Sequence, residues 1–517
     1  MRRRIGIDVG GTNTDAVLLE GEGVLQAVKT PTTADVLTGV KQALRGVAPA
    51  IGAAGVQGVM IGTTHFVNAV VQRRDLARVG ALRIGLPAAA TLPPLCDWPE
   101  DLAAIVRGQV HMVEGGHDFD GRPIMPLDER AIAAAAREMR AAGIACVAVA
   151  SIFSPLDPAM EIRAAEIIRQ EMPEAAITLS HELGRIGLLE RENVALLNAA
   201  LAPLAAHTVR AFAQALEEAG IDAPLYITQN DGTVMRADHA ARFPVLSFAS
   251  GPTNSMRGAA FLTGAKDALV VDVGGTTSDI GALKAGFPRE ANAVVQVGGV
   301  RTNFRMPDLL SIGLGGGSHV EPGADGRIAI GPRSVGFRLP ELARVFGGAQ
   351  LTTSDVAVRL GMLALGEADR VAGLEEGFAR AVFAEAARML EDATDRMKTE
   401  AGAVPLLAVG GGAFLVPDTL PGISQVLRPE HAAVANAVGA AIAQVSGEAD
   451  QVFQGMTRAE ALREAERIAR ARATEAGAEP ESLVLVDVED LPIAYLPGGA
   501  LRVRARVVGE IAAPAES

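Results

Sequence analysis

Apolar positions along this chain change period from segment to segment, and the changes mark out alternating strands and helices. Val36, Leu37, Val40 and Leu44 recur at helical spacing and predict a helix over 35–47. The apolar run at 59–61 predicts a short strand that opens into Gly62-Thr63-Thr64-His65. An alanine-rich helix is predicted over 127–142 and ended by Gly143, and a strand follows over 144–153. A second helix starts around Pro155 and Asp157 and reaches Met172, before a strand over 177–179 and a long helical stretch over 188–218. Further on, helices are expected over 354–365 from a Ser354 cap, over 376–401, and over 432–445. A strand over 405–409 runs into Gly410-Gly411-Gly412, and a charged amphipathic helix over 458–474 precedes two more strands. This alternation predicts an α/β protein whose sheets are covered by helices.

One pattern occurs twice. Residues 8–15 read DVGGTNTD and residues 272–279 read DVGGTTSD, with six of eight positions identical. Each copy follows one apolar run and precedes another, which is the signature of a strand, a glycine turn and a strand. Two such hairpins about half a chain apart imply two domains of related architecture.

Length and composition agree with that division. A chain of 517 residues exceeds a single core, so two or three domains are expected. The boundaries predicted are 1–200 for a first domain with an inserted substrate-side segment, 201–446 for a second, and 447–517 for a small helix-plus-strands region. Hydrophobic residues are 49% and charged residues 21%, the balance of an ordinary globular protein. The net charge of −14, with Arg2-Arg3-Arg4 as the only basic run, argues against a nucleic-acid partner. No uninterrupted apolar run approaches the roughly 20 residues of a membrane span, and no secretory signal pattern is visible. Cys96 and Cys146 lack CxxC spacing, which leaves no cysteine-ligated cluster within one chain and no disulfide framework. A cytoplasmic location is expected.

The chemistry-bearing residues gather at glycine-rich strand ends. Glycine lets backbone amides approach a phosphate with no Cβ in the way. A lone GG or GGG is equally well explained by a tight turn; the duplicated motif is far more specific. A carboxylate, two glycines and hydroxyls on opposed hairpins can clamp a Mg-polyphosphate from both sides. Asp8 and Asp272 are the candidate holders of Mg2+, through waters, because that ion keeps much of its hydration. Gly10, Gly11, Thr12 and Asn13, with Gly274, Gly275, Thr276 and Thr277, are the candidate phosphate residues. Gly315 and Gly316 in the run 312–318 and Gly410, Gly411 and Gly412 complete the nucleotide set. Asp15 and Asp279 are read as orienters of the metal shell, with turn capping as the alternative.

The paired hairpins and Val409-Gly410-Gly411-Gly412-Ala413 resemble, in chain order, the phosphate and adenosine motifs of the actin, heat-shock chaperone and sugar-kinase superfamily. IGIDVGGTNTDAVLL is similar to the start of the hydantoinase A / 5-oxoprolinase family of ATP-dependent amide-ring openers. Gly62-Thr63-Thr64-His65-Phe66-Val67-Asn68-Ala69, Ser180-His181-Glu182, Ser250-Gly251-Pro252 and Ile312-Gly313-Leu314-Gly315-Gly316-Gly317-Ser318 also match its pattern, over roughly residues 4–445. The chain departs from it at Val67, where the family favours Thr. It departs again at 331–340, where a Cys- and Pro-rich stretch is replaced.

The resemblance implies two actin-like (ribonuclease H-like) ATPase domains around a cleft. It implies ATP and Mg2+ as cofactors and a cyclic amide substrate (hydantoin, lactam or imide) activated by phosphorylation of its carbonyl oxygen. A hydantoinase B-type subunit or a homo-oligomer is the implied partner. His65 and Asn68 are the substrate-side candidates it supports. His181 and His319 sit in loops where a histidine can polarise a carbonyl, although a structural hydrogen-bonded role fits each equally well, and Asp308 is a candidate base. A small-molecule kinase of the same fold and a nucleotide switch without its own chemistry remain as alternatives.

Overall fold

The computed structural model describes residues 3–31, 36–52, 55–291, 294–322, 327–493 and 499–512. Arg2, the predicted helix start at Asp35 and the frayed end expected after Ala512 lie outside the described residues.

Two sheets repeat one topology. In the first, Arg3–Val9, Asn13–Glu20 and Gly23–Pro31 form an antiparallel meander. Gly58–Thr63 then lies parallel beside Arg3–Val9, with Leu225–Thr228 parallel beyond it. In the second, Ala268–Val273, Ser278–Lys284 and Phe287–Pro288 form the meander. Val404–Val409 and Ile423–Leu427 are its parallel continuation. The strand order, third-second-first-fourth-fifth, is the same in both. The duplicated sequence is therefore a duplicated actin-like unit, and the α/β fold class follows from it.

Between the halves of the first sheet is an inserted parallel sheet of Arg107–Glu114, Val79–Leu86, Cys146–Ser151 and Ala176–Leu179. The helices Glu129–Ala141 and Ala159–Glu171 cover it. The helix Leu188–Glu218 returns the chain to the first sheet. By length and composition this helix could cross a bilayer, a feature the search for uninterrupted apolar runs passes over. Its residues from Val194 to Leu201 are buried in the protein core, which is why they are apolar except for Asn198, whose amide donates to Thr178 Oγ1 and the Arg242 carbonyl.

Sheet membership runs across the boundaries at 200 and 446. Leu225–Thr228 and Val234–Arg236 belong to the first sheet, and so do Val445–Phe453, Leu501–Gly509 and Val484–Pro492. The predicted small-residue helix over 432–445 is shorter, Ala435–Ala441, because Val445 already pairs with Val234 as a strand. The tail helix Arg458–Glu475 lays Ala461, Ala465, Ala469 and Ala473 on this sheet, at the spacing of one helix face. Its charges face outward as predicted. The predicted Ser354 cap moves to Thr352, whose side chain accepts from the Asp355 amide while Asp355 accepts in return, a capping box.

A two-hairpin cleft as candidate active site

Register makes the two hairpins equivalent atom by atom. Asp8 pairs with Asp15 and Val9 with Thr14; Asp272 pairs with Asp279 and Val273 with Ser278. The Gly10 amide donates to the Asn13 carbonyl at 3.0 Å, and the Gly274 amide to the Thr277 carbonyl at 2.9 Å. A glycine of the neighbouring parallel strand or its end closes on each aspartate: Gly62 pairs with Asp8, and Gly410 lies one residue beyond Val409, the partner of Asp272. A Cβ on Gly62 would lie 2.4 Å from Asp8 Oδ1, and one on Gly410 would lie 2.3 Å from Asp272 Oδ1. Both glycines exist because a carboxylate occupies the space of a side chain.

The tips of the two hairpins meet. A Cβ on Gly275 would come within 2.9 Å of Thr12 Oγ1. Around the second tip, the Gly316 and Gly317 amides donate to the Gly274 and Gly275 carbonyls at 2.9 and 2.7 Å, and the Gly412 amide donates to the Val273 carbonyl at 2.7 Å. The glycine-rich loop 313–318 and the triple glycine are thus packed on the second hairpin. Thr276 and Thr277 stay exposed at its tip, and Gly11 and Gly411 are exposed with nothing near the position of a Cβ.

One helix ties both aspartates. Adjacent helical residues diverge by about 100°, so Asn254 and Ser255 on the helix Ser250–Thr263 face different units. Asn254 Nδ2 donates to Asp8 Oδ1 and to Thr228 Oγ1, each at 3.1 Å. The Ser255 hydroxyl donates to Asp272 Oδ2. From the packed helix Ala435–Ala441, Asn436 Nδ2 donates to Asp8 Oδ2 at 3.1 Å and to Asp15 Oδ2 at 2.9 Å. The two helices touch backbone to backbone. A Cβ on Gly258 would fall 1.8 Å from the Ala435 oxygen, and one on Gly439 would fall 1.8 Å from the Asn254 oxygen. Small residues at this crossing set where Asn254, Ser255 and Asn436 point.

The carboxylates are under-compensated. Burial pushes Asp8 up to about 6, and the charges of Asp15 and Asp272 add to this against the Asn254 and Asn436 hydrogen bonds. Burial also raises Asp272, opposed by the Ser255 hydroxyl and by Lys29. Asp279 is pushed up to about 6, again by burial first; the Ser311 hydroxyl opposes this and the Asp272 charge reinforces it. Lys29 Nζ pairs with Asp15 Oδ1 at 2.7 Å and is the cation at this point of the cleft. Among the described residues no three acidic, histidine or cysteine side chains gather as a chelating cluster. Two raised carboxylates from opposed units suit instead a cation that keeps most of its shell as water and phosphate oxygens, as Mg2+ does.

The substrate-side candidates stand next to Asp8 in register. Asp8 pairs with Gly62, and after Thr63 and Thr64 the chain turns into the helix His65–Gln72. His65 is therefore the first residue of a helix rather than a loop residue, and its amide donates to Thr63 Oγ1 at 3.1 Å. Asn68, one turn on, donates to Thr64 Oγ1 at 3.2 Å. Ser250 Oγ accepts from the Thr63 amide at 3.3 Å, so two helix N-termini converge beside Asp8.

The remaining candidates lie elsewhere. Asp308 is engaged by Arg289 at 2.6 Å, which removes it as a free base. His319 sits on the strand Ser318–Pro322 and bridges to Thr352. His181 is held by Glu161 in the inserted region.

Comparison with known proteins fits this architecture. Sequence profiles for the hydantoinase/oxoprolinase N-terminal region and for hydantoinase/oxoprolinase match residues 4–172 and 191–368. The chain belongs to the hydantoinase/oxoprolinase family. It is 27% identical to the caprolactamase subunit alpha of Pseudomonas jessenii, over 70% of this chain and 55% of that one. It is 28% identical to the acetophenone carboxylase gamma subunit of Aromatoleum aromaticum, over 69% and 53%. The chain spans about half the length of the curated relatives it matches. The ATP-dependent caprolactamase structure from Pseudomonas jessenii superposes with a TM-score of 0.75 at 21% identity, covering 98% of this chain and 87% of that one. The nucleotide-free acetone carboxylase structure gives 0.71 at 18%, covering 99% and 89%. At these identities the likeness is one of fold.

Family motifs point to the hairpins, yet four side chains at the centre of this hydantoinase/oxoprolinase cleft carry no such signal. Asn254 and Ser255 follow the Ser250-Gly251-Pro252 match after Thr253 and lie outside it. Asn436 lies in an unremarked small-residue helix, and Lys29 on the third strand of the meander. Only the register and the helix crossing bring them together.

Proposed function

We propose that this chain is the ATP-using subunit of an enzyme that activates a cyclic amide by phosphorylating its carbonyl oxygen. The observation that supports it best is the equivalence of the two hairpins, with Asp8 and Asp272 tied by adjacent residues of one helix. An amide carbonyl is a poor electrophile because nitrogen donates into it. Transfer of the γ-phosphoryl group of ATP to the oxygen, with ADP leaving, makes the carbon attackable; water then adds to the carbon, the ring C–N bond breaks with the nitrogen taking a proton, and a second water hydrolyses the resulting acyl phosphate to carboxylate and phosphate. Asp8 and Asp272 would hold Mg2+, which would supply charge neutralisation for the transfer. The chain's own part is positioning. Thr12, Thr276 and the amides of Gly11, Gly275 and Gly411 hold phosphate oxygens, while the Gly10, Gly274, Gly315, Gly316, Gly410 and Gly412 amides are spent on bonds that shape the tips; Asn254, Ser255 and Asn436 fix the carboxylates. His65 and Asn68, beside Asp8, face the carbonyl to be activated.

Carboxylase subunits among the relatives favour a second reading, in which the activated carbonyl belongs to a ketone. Both readings share the oxygen-phosphorylation step and differ in what attacks the carbon. By analogy with the named subunits, a hydantoinase B-type partner completes the reaction. The test is phosphate release from MgATP by the purified chain, with and without that partner, against lactams, hydantoins, imides and ketones. Release that depends on a ring amide and is lost in Asp8→Ala supports the first reading, and release that depends only on ketones supports the second. A stable phosphorylated product with no ring opening would assign a kinase instead.

A further inference from the structure

A large cavity lies outside the hairpin cleft. A space of about 960 Å3 opens where the inserted region, the first sheet and the tail strands meet, and none of the hairpin residues lines it. Its wall carries two polar features that the phosphate-binding machinery does not use.

The first is an oriented imidazole. Glu161 is fully buried and accepts from the Ser151 amide at 2.8 Å, the Ser180 hydroxyl at 2.6 Å and the His181 amide at 3.1 Å. Burial alone would raise this carboxyl, but the His181 hydrogen bond and charge, with Arg191 and Ser180, outweigh it and hold it below the usual range. An ionised Glu161 only accepts, so His181 Nδ1 is the donor at 2.7 Å. That orients the ring and leaves Nε2, on its opposite edge, for a hydrogen bond in the cavity that His181 lines. Arg191 braces the arrangement, donating to Ser180 Oγ at 2.9 Å and to the Ile186 carbonyl at 2.6 Å.

The second is an unanswered cation. The other arginines of the wall are engaged: Arg305 by Glu448, Arg502 by Asp450, Arg236 by Asp238, and Arg472 by the Glu448 carbonyl. Among the described residues, the Arg185 guanidinium has no recorded acceptor, although it is half-buried and lines the same cavity. Burial lowers its pKa, and repulsion from Arg502, Arg305 and Arg504 lowers it further, opposed by the charge of Asp450. A guanidinium fork with no hydrogen-bonded partner, lining this cavity, is matched by a planar two-oxygen anion. The wall acids Asp231, Glu448 and Asp450 disfavour a phosphate dianion more than a monoanion.

We propose that this cavity is a second small-molecule site, which binds an organic carboxylate on Arg185 with His181 Nε2 hydrogen-bonded to the same ligand. It is separate from the nucleotide cleft but adjoins its bracing helix. Asn230, on the cavity wall, accepts from the Ala249 amide at 2.8 Å and from Thr253 Oγ1 at 3.0 Å, one residue from Asn254.

The test is a titration of the full chain carrying 15N-labelled histidine with sodium benzoate, and with benzamide as the uncharged match at equal ionic strength. The His181 ring signals are assigned by their loss in His181→Gln. Saturable movement of those signals with benzoate but not benzamide is expected. The apparent Kd should weaken about tenfold or more in Arg185→Gln and less in Arg185→Lys. Asp8→Asn should retain the benzoate response, which separates this site from the nucleotide cleft. Absence of a saturable response, an equal response in Arg185→Gln protein of unchanged Tm, or a stronger response to inorganic phosphate would each overturn the proposal.

Discussion

Thr12 and Gly275 touch across the cleft: a Cβ on Gly275 would stand 2.9 Å from Thr12 Oγ1 and 3.2 Å from its Cγ2. The two residues belong to different sheets and occupy near-equivalent places on duplicated hairpins. The contact sets how closely the two phosphate-binding tips approach. Gly275→Ala displaces only the end of a threonine side chain, so stability should change by within about 0.5 kcal/mol. MgATP affinity should fall, because Thr12 is forced off its position. Thermal unfolding and calorimetric titration of the same protein measure the two effects.

The glycines divide by what surrounds them. Gly11 and Gly411 have nothing within 4 Å of a would-be Cβ, so alanine there should leave Tm unchanged and weaken only nucleotide binding. Gly410 has φ +87° and Val273 O at 2.4 Å from the Cβ position, so Gly410→Ala should destabilise the fold by roughly 1–3 kcal/mol. An unchanged Tm in Gly410→Ala would contradict the described packing of the triple glycine on Asp272.

Without nucleotide, stability should depend on pH in one direction. Asp8 and Asp279 have folded pKa values raised to about 6, so their contribution is fully present below about pH 4 and is lost as pH rises through 6. For Asp8 the shift of about two units amounts to a loss on the order of 3 kcal/mol on ionisation. Tm of the nucleotide-free protein should decline between about pH 4 and about 6.5 and level off above, and Asp8→Asn should flatten that decline. Mg2+ with nucleotide should restore stability most at the alkaline end, where the carboxylates are charged.

Asn254 and Ser255 should act through the carboxylates they hold. Each hydrogen bond lowers the pKa of its aspartate, so Asn254→Ala and Ser255→Ala should raise it. The rising limb of phosphate release against pH should move by about one unit to higher pH in each variant. A merely structural role would lower the plateau and leave the limb in place.

The duplicated DVGGT pattern made the two hairpins, their related units and the glycine-rich strand ends legible, because each depends on local turn chemistry. The helix Leu188–Glu218 was legible to its ends from its apolar run. The strand that opens into Gly62-Thr63-Thr64-His65 was legible, but not the helix that His65 begins, because the glycine and threonines mark only the turn. The tail read as an appendage because nothing local tells that Val445–Phe453 will pair with Val234 and Leu501–Gly509, far apart in sequence. Asn254, Ser255, Asn436 and Lys29 were missed for the same reason. Their roles come from a helix crossing and a strand register that join residues separated by up to 428 positions.

The most direct measurement is calorimetric titration of MgATP into the purified chain, Asp8→Ala and Asp272→Ala, with thermal unfolding showing all three to be folded. The two-hairpin clamp predicts saturable binding to the first that is weakened strongly by either substitution and depends on Mg2+. No MgATP binding by the folded chain, or binding indifferent to both aspartates, would contradict it.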